Sequence, residues 1–424
     1  MMELPESWAV EPFSQVARYT TGRTPARANP AYWVKDANQV PWAAISDMEE
    51  YGILTETKES VSEAAFEDVF RERIVPAGTL LMSFKLTIGR VATLGVPACH
   101  NEAIISIYPR QGVDQRYLGY FLSQVDYTDH QDRQIKGNTL NQSKIDQIQI
   151  MLPPSEEQAS IADVLDKCRL GLNTERAAEA TAQELKRAAM RELFTRGLRG
   201  ETQKETAIGL VPENWDFISL GDAYETQLGK MLSQKAHGGD SPKPYLRNKN
   251  VQWGRLDLAD LLVMDFDERE AVKFKLMPGD LLVCEGGIIG RAAIWRGELG
   301  ECYYQKALHR VRPRSEDASN AFLCQWLSFS FEHQNFYNIG GASSTIAHLP
   351  QVLLDGLKIP LPRPNEQREI VAILDAIDRK IALHRQKRAV LGELFQSLLH
   401  KLMTCEIRVA DLDLSALPAV TAAA

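Results

Sequence analysis

The sequence lacks the marks of most chemistries. Its 424 residues contain no Gly-x-x-x-x-Gly-Lys-Ser/Thr loop to cradle a nucleotide phosphate. Six cysteines (Cys99, Cys168, Cys284, Cys302, Cys324 and Cys405) are scattered, with no Cys-x-x-Cys pair. That excludes a zinc ribbon and a disulfide framework, and leaves reduced, buried thiols in a cytosolic protein. The eight histidines show no ligand spacing, and His309 and His348 read as core or polar-surface residues. No metal and no cofactor is therefore expected. Gly286-Gly287-Ile288-Ile289-Gly290 is too isolated to stand for a phosphate loop. A tight turn that packs closely, or lets backbone approach a partner, fits it better. No apolar run is long enough to cross a bilayer, and the opening Met-Met-Glu-Leu-Pro-Glu lacks the regions of a signal peptide. The cytoplasm is the expected compartment, with no membrane association.

A strongly basic balance is also missing. The net charge is −8, with 44% hydrophobic and 25% charged residues, ordinary for a soluble globular protein of two to four domains. The charges are segregated, however. Positions 47–72 hold nine acids against Lys58 and Arg71, a local sum of −7 (2 − 9). Positions 243–255 carry Lys243, Arg247, Lys249 and Arg255 with no acid. Such segregation leaves a nucleic-acid role open. It also implies weak DNA binding by the chain alone, since nonspecific affinity comes from phosphate neutralisation.

What is present is a duplication. Leu4-Pro5-Glu6-Ser7-Trp8 returns as Val211-Pro212-Glu213-Asn214-Trp215, an offset of 207 (211 − 4). Glu157-Gln158, Ile161, Leu165 and Asp166 return as Glu366-Gln367, Ile370, Leu374 and Asp375, an offset of 209 (366 − 157). Gly78-Thr79-Leu80-Leu81 answers Gly279-Asp280-Leu281-Leu282, and Ile88-Gly89-Arg90 answers Ile289-Gly290-Arg291. A solenoid repeats every 20–50 residues or so, which makes this a duplicated domain. The likeness is highest in the long helices and lowest between the anchors, as a shared frame with two different surfaces would be.

Each copy reads as a mixed α/β domain. In the first, strands are expected over Thr79–Ser83 and Ile104–Tyr108 and a helix over Tyr117–Val125. In the second, Leu281–Cys284 and Phe322–Phe331 match them. Each copy then runs through a Pro-bounded strand into a helix of roughly 40 residues, about 60 Å long. Ser155 and Asn365 are the expected N-caps, Ser155 with Gln158 in a capping box. The second helix carries a heptad seam: Ile370, Ile377, His384, Leu391, Leu398 on one track and Leu374, Ile381, Arg388, Phe395, Leu402 on the other. The first helix keeps the frame with Ile161, Cys168, Glu175, Ala182, Ala189 and Leu165, Leu172, Glu179, Lys186, Leu193. An antiparallel pair, with a pseudo-two-fold axis near residues 177 and 386, would bring Glu175 and Glu179 to His384 and Arg388.

These residues resemble the specificity subunit of type I restriction-modification systems over essentially the whole chain. Pro244-Tyr245-Leu246-Arg247-Asn248-Lys249-Asn250-Val251, Leu276 to Val283, Gly290-Arg291-Ala292-Ala293 and Cys302 to Pro313 carry the likeness in the second copy. Gly22-Arg23-Thr24-Pro25 and Val40-Pro41-Trp42 carry it in the first, where Phe84-Lys85-Leu86-Thr87 replaces Glu285-Gly286-Gly287. Both Pro-x-x-x-Glu-Gln helix starts fit as well. The resemblance implies a duplicated α/β (α+β) fold with two target-recognition domains, 1–152 and 206–361. It implies conserved spacer helices at 153–205 and 362–408, antiparallel and coiled, and leaves 409–424 as a flexible tail. It further implies a non-catalytic reader of a bipartite, asymmetric sequence in double-stranded DNA. Helix length would set the distance between the half-sites. Two methyltransferase subunits holding S-adenosylmethionine, and two ATP-driven restriction subunits, would be its partners. A scaffold whose coiled coil only assembles proteins is the alternative from another class.

Asn29-Pro30-Ala31-Tyr32 is close to the Asn-Pro-Pro-Tyr of adenine methyltransferases, but its third residue differs and no glycine-rich cofactor strand precedes it. Base reading calls instead for loops rich in donors and small residues. In the first copy the candidates are Arg23, Thr24, Lys85, Lys136, Asn138, Thr139 and Asn141. In the second they are Lys243, Tyr245, Arg247, Asn248, Lys249, Asn250, Ser343, Ser344 and Thr345. Arg90 and Arg291 recur in both copies, so bracing the frame is their expected role.

Overall fold

The computed structural model describes residues 5–34, 39–128, 132–134, 137–232, 241–334 and 348–414; for 132–134, 137–139 and 333 it describes the backbone alone. Lys136, Ser343, Ser344 and Thr345 lie outside the described residues. The chain forms two compact units. One joins Met1–Glu175 to Lys387–Ala424, and the other is Arg176–Gln386. Each unit therefore holds one α/β copy together with half of each long helix.

In the first unit, five strands lie in the order Ala17–Thr21, Ile104–Pro109, Leu80–Ser83, Val91–Leu94 and Gly52–Leu54. Neighbours are antiparallel except the last pair, which is parallel. Leu81 and Met82 are both buried, as are Ile104 and Ile105, so the central strands are covered on both faces. The continuous apolar runs seen in the sequence are the signature of that burial. Helix Gln115–Gln124 starts where Asp114 accepts from the backbone N–H groups of Arg116 and Tyr117, at 2.8 and 3.1 Å. A second sheet places Trp33–Val34, Glu59–Val61, Val40–Ala43 and Cys99–His100 side by side.

The second unit repeats the plan. Tyr224–Leu228, Leu308–Pro313, Leu281–Cys284 and Ala292–Ile294 make one sheet. Leu262–Asp265, Pro242–Leu246 and Tyr303–Tyr304 make the other. The helix expected over Phe322–Phe331 runs from Asn320 to Leu327 and widens into a π-helical turn, Ser328–His333.

The long helices span Ser155–Arg196 and Pro364–Met403. They pair antiparallel within each unit. In the first, Glu175 meets Lys387 at 3.7 Å, and Glu157 meets Arg408, five residues beyond the end of the second helix, at 3.1 Å. In the second, Glu179 meets Arg385 and Lys186 meets Asp378, both at 2.7 Å. Partner numbers fall on one helix as they rise on the other. Ile370, Leu374, Ile381, Phe395, Leu398 and Leu402 of the seam are buried, whereas Ile377 and Leu391 are half-exposed. Leu399 and Met403, on neither heptad track, are buried as well. The reason is that each helix end serves two surfaces. Phe395, Leu398, Leu399, Leu402 and Met403 join Ile161, Leu165, Tyr117 and Phe121 in a single core. Met190, Leu193 and Phe194 join Ile370, Leu374, Trp215 and Phe322 in the other. A stripe facing both a helix and a domain is wider than a coiled-coil seam.

The helix starts differ from a capping box. The first long helix begins at Ser155, one residue ahead of a start with Ser155 as cap, and the second at Pro364, two ahead of a start with Asn365 as cap. Gln158 turns to the neighbouring loop: its Oε1 accepts from Asp114 N at 2.8 Å and its Nε2 donates to Pro153 O at 2.8 Å. Gln367 donates to Asp317 O and Pro362 O, both at 2.7 Å. These buried amides explain the Glu-Gln motif. They tie the loop before each domain's own helix to the start of the long helix.

All six cysteines are free, and five of them are buried. Burial pushes the Cys284 thiol up to about 11 and those of Cys99, Cys302 and Cys324 up to about 12. Among the described residues no helix is long and apolar enough to cross a membrane, and no cluster of three His, Cys, Asp or Glu side chains could hold a metal ion.

Candidate nucleic-acid interface

The basic segment of the second unit folds into a single 3-10 turn, Asn248–Asn250, at the end of strand Pro242–Leu246. Asn250, 1% exposed, holds it from inside. Its Oδ1 accepts from Arg247 N at 2.9 Å, and its Nδ2 donates to Asp257 O at 2.9 Å and Asp260 O at 3.0 Å. Arg291 supports the turn from behind, donating to Asn248 O at 2.7 Å and Gln252 Oε1 at 3.3 Å. Asn248 in turn reaches Gly286 O at 3.4 Å. Gly287 has φ +77°, and a Cβ there would sit 3.1 Å from Asn248 Nδ2. The glycine cluster is thus a close-packed turn beside the basic one.

Lys249 is exposed at the tip of the turn. It meets Asp260 at 2.7 Å, and Arg247 meets the same carboxylate at 3.0 Å. The two cations, Lys249 first, hold the Asp260 carboxyl below its ordinary range. One carboxylate between two cations leaves a net positive tip. A phosphate or a guanine edge can replace Asp260 there, because exposed ion pairs are weak.

Residue chemistry points Tyr245 and Asn250 outward; the structure turns both inward. Tyr245 is 1% exposed and packs with Leu246, Phe266 and Tyr303, while Asn250 braces the turn. Tyr245 and the adjacent Leu246 are both buried, so this end of the strand is covered on both faces, and Tyr245 pairs in register with Tyr303. Lys243 meets Glu301 at 2.9 Å. In the first unit, Arg23 donates to Val69 O at 2.6 Å and Thr24 donates to Glu102. Lys85 lies 5.3 Å over the Phe84 ring. Asn141 caps helix Gln142–Asp146, accepting from Lys144 N at 2.9 Å, so its amide serves the fold. Asn138 and Thr139 belong to strand Gly137–Thr139, which pairs with Asp132–Gln134. The structure thus gathers Arg247, Asn248, Lys249 and Asn250 at one point, and leaves Lys243, Arg23, Thr24 and Lys85 on contacts of their own.

The first unit has the same turn, which residue chemistry alone does not reveal. Ile45–Asp47 is a 3-10 turn after strand Val40–Ala43, and Ala44 N donates to Asp47 Oδ2 at 3.0 Å. Arg90 donates to Ile45 O at 3.3 Å, as Arg291 does to Asn248 O. Ser46 stands exposed where the second unit has Lys249. The recurring arginines and the matching Pro41 and Pro244 are the sequence signal for it. One frame, held by the same arginine, presents Ala-Ile-Ser-Asp in one unit and Arg-Asn-Lys-Asn in the other.

The family model for the type I restriction modification DNA specificity domain matches residues 5–182 and again 212–393. The chain belongs to this family. Each matched segment contains one complete α/β copy and most of one long helix. A relative from Methanocaldococcus jannaschii, described as the putative type I restriction enzyme MjaX specificity subunit, is 24% identical over 96% of this chain and 95% of its own. The type I restriction enzyme EcoKI specificity subunit of Escherichia coli K12 is 24% identical over 96% of this chain and 90% of its own. The crystal structure of a type I restriction-modification S subunit from M. genitalium shares the fold, with a TM-score of 0.59 at 12% identity over 99% of both chains. The repeated turn with its arginine brace thus lies in both specificity domains of this chain.

Proposed function

We infer that this chain is the DNA-specificity subunit of a type I restriction-modification complex. Each unit reads one half of a bipartite, asymmetric target in double-stranded DNA. The long helices space the two halves and offer the docking face for two methyltransferase and two restriction subunits. The chain contributes recognition, and its partners contribute adenine methylation and cleavage. The observation that carries this reading is the pair of equivalent turns, 44–47 and 247–250, with a shared brace and unlike exposed residues. A pure scaffold has no use for that divergence. Arg247, Asn248 and Lys249 make up the reading surface of the second unit, with Asn250 and Arg291 holding it in place. Ser46 and its neighbours, with Arg23, Thr24 and Lys85, make up that of the first. Tyr245 acts from the core behind the turn.

The test is to map methylated adenines across the genome with and without this chain. One two-part motif should lose its methylation when the chain is removed. Unchanged methylation at every motif would refute the assignment.

A further inference from the structure

After each 3-10 turn the chain bends back toward the helix pair of its own unit, through a tight turn with Gly52 N on Glu49 O in the first and through the hairpin Val251–Gln252 with Arg255–Leu256 in the second, and the two junctions are built differently. In the first unit, Tyr51 in the tight turn lies between Tyr120 and Phe395, with ring centroids 5.4 Å from each. Arg169 of the first long helix donates to the Tyr51 carbonyl and lies 5.8 Å over its ring. Aromatic packing narrows this junction to a pocket of about 140 Å³, with Glu49 and Glu50 in its lining.

The second unit replaces every member of that cluster. Gly254 stands for Tyr51, its N–H on Ala292 O as the Tyr51 N–H is on Val91 O, and Gln325 stands for Tyr120. By the 209-residue offset (366 − 157), Lys186 stands for Phe395 and Asp378 for Arg169. Lys186 and Gln325 both bind Asp378, at 2.7 and 3.1 Å. What remains between hairpin and helices is a solvent-open cleft of about 330 Å³. Its lining holds Lys186, Arg187, Arg255 and Arg385 against Asp378 and Glu332. Lys186 is matched by Asp378 and Arg385 by Glu179. Arg187 on the helix wall and Arg255 on the hairpin wall are exposed, and neither has an ion pair among the described residues.

We propose that this cleft binds the phosphodiester backbone of DNA, with Arg187 and Arg255 as its phosphate contacts. The proposal rests on the reading of this unit as a DNA reader. Two cations facing one opening suit an anion, and the opening has room for a phosphate with its flanking sugars. Arg291 binds both Asn248 of the turn and Gln252 of the hairpin, so the cleft is fixed to the reading turn. DNA read by the turn is therefore carried to the cleft. The contact adds affinity and register rather than sequence preference, and the smaller junction pocket of the first unit, lined by Glu49 and Glu50 with Arg169, lacks the facing pair of arginines.

The experiment titrates the full-length chain against a fluorescently labelled random-sequence duplex at several salt concentrations. It compares wild type, the R187A/R255A double variant, and R379A as an exposed arginine outside the lining. Each phosphate contact contributes about 0.9 to the slope of log K against log salt. The double variant should lose about 0.9 of slope per contact removed, and R379A should keep the wild-type slope. A wild-type slope in the double variant would overturn the proposal, and is what a cleft for an acidic protein segment would give. Wild-type chain with no duplex binding at any salt would overturn the parent reading instead.

Discussion

Asp47 and Asn250 occupy the same place in the two units, each closing a 3-10 turn on the backbone N–H three residues earlier, at 3.0 and 2.9 Å. Removing the Asn250 amide leaves the carbonyls of Asp257 and Asp260 without their donor. Asn250→Ala should therefore cost roughly 1–3 kcal/mol in denaturant unfolding, while Lys249→Ala at the exposed tip should stay within about 0.5 kcal/mol. Equal losses would mean that the turn is not braced from inside. His100 gives a pH signature. It is buried, its Nδ1 near Asn101 O at 3.1 Å and its Nε2 against Ser106 Oγ at 2.5 Å, and burial pushes its pKa down to about 4. A histidine neutral when folded and protonated when unfolded lends stability above its unfolded pKa, and loses it as pH falls from about 6.5 toward 4. The His100 share of that loss is about 3 kcal/mol, and His100→Asn should flatten the stability curve over the same window. Leu86 adopts φ 64° at 67% exposure where the second unit has Gly287. Leu86→Gly should be tolerated within about 1 kcal/mol, because relief of the left-handed strain offsets the added backbone freedom. By contrast, Gly290→Ala would drive a Cβ to 2.6 Å from the Phe331 ring and should destabilise clearly more. Among the candidate readers, residue chemistry singled out the Arg247–Asn250 segment. It did not separate inward from outward members, since two-sided burial of the strand end and turn geometry decide that.

At the scale of elements, periodicity made the long helices and their starts legible, but not the function of their motif, nor their ends, which fall at Arg196 and Met403 rather than at 205 and 408. Gln158 and Gln367 look like capping-box partners because their spacing to Ser155 and the Pro-bounded start fits. The fold uses each amide to tie a loop, a long-range contact that local spacing does not encode. Gln367→Ala should cost about 1–3 kcal/mol by leaving Asp317 O and Pro362 O buried without a donor, and denaturant melts of the full chain would measure it. A cost near zero would show the motif to be incidental. The heptad pattern likewise identified the buried face but not its width. Leu399 and Met403 are buried because the helix ends pack on the α/β copies as well as on each other. Glu179 and Glu175, expected to face His384 and Arg388, have ion pairs to the neighbouring Arg385 and Lys387. Glu179, 6% exposed, accepts from Arg385 at 2.7 Å. Glu179→Gln should weaken helix pairing while leaving the recognised sequence unchanged, which thermal melts and methylation mapping would check together.

For the whole molecule, the duplication was legible from a few anchors, because the frame repeats residues that packing requires: Gly89 and Gly290, Arg90 and Arg291, Gln158 and Gln367. The reading surfaces were less legible, because they are the positions where the two copies differ. If each unit reads its half-site independently, one half of the motif can be exchanged without the other. The direct measurement replaces residues 215–350 with the matching segment of a homologous specificity subunit, assembles the complex, and maps methylated adenines. Independent reading predicts a motif changed in one half only, with the other half and the unspecified spacer retained, since both long helices and the whole first unit lie outside the exchanged segment. A motif altered in both halves would contradict independent reading.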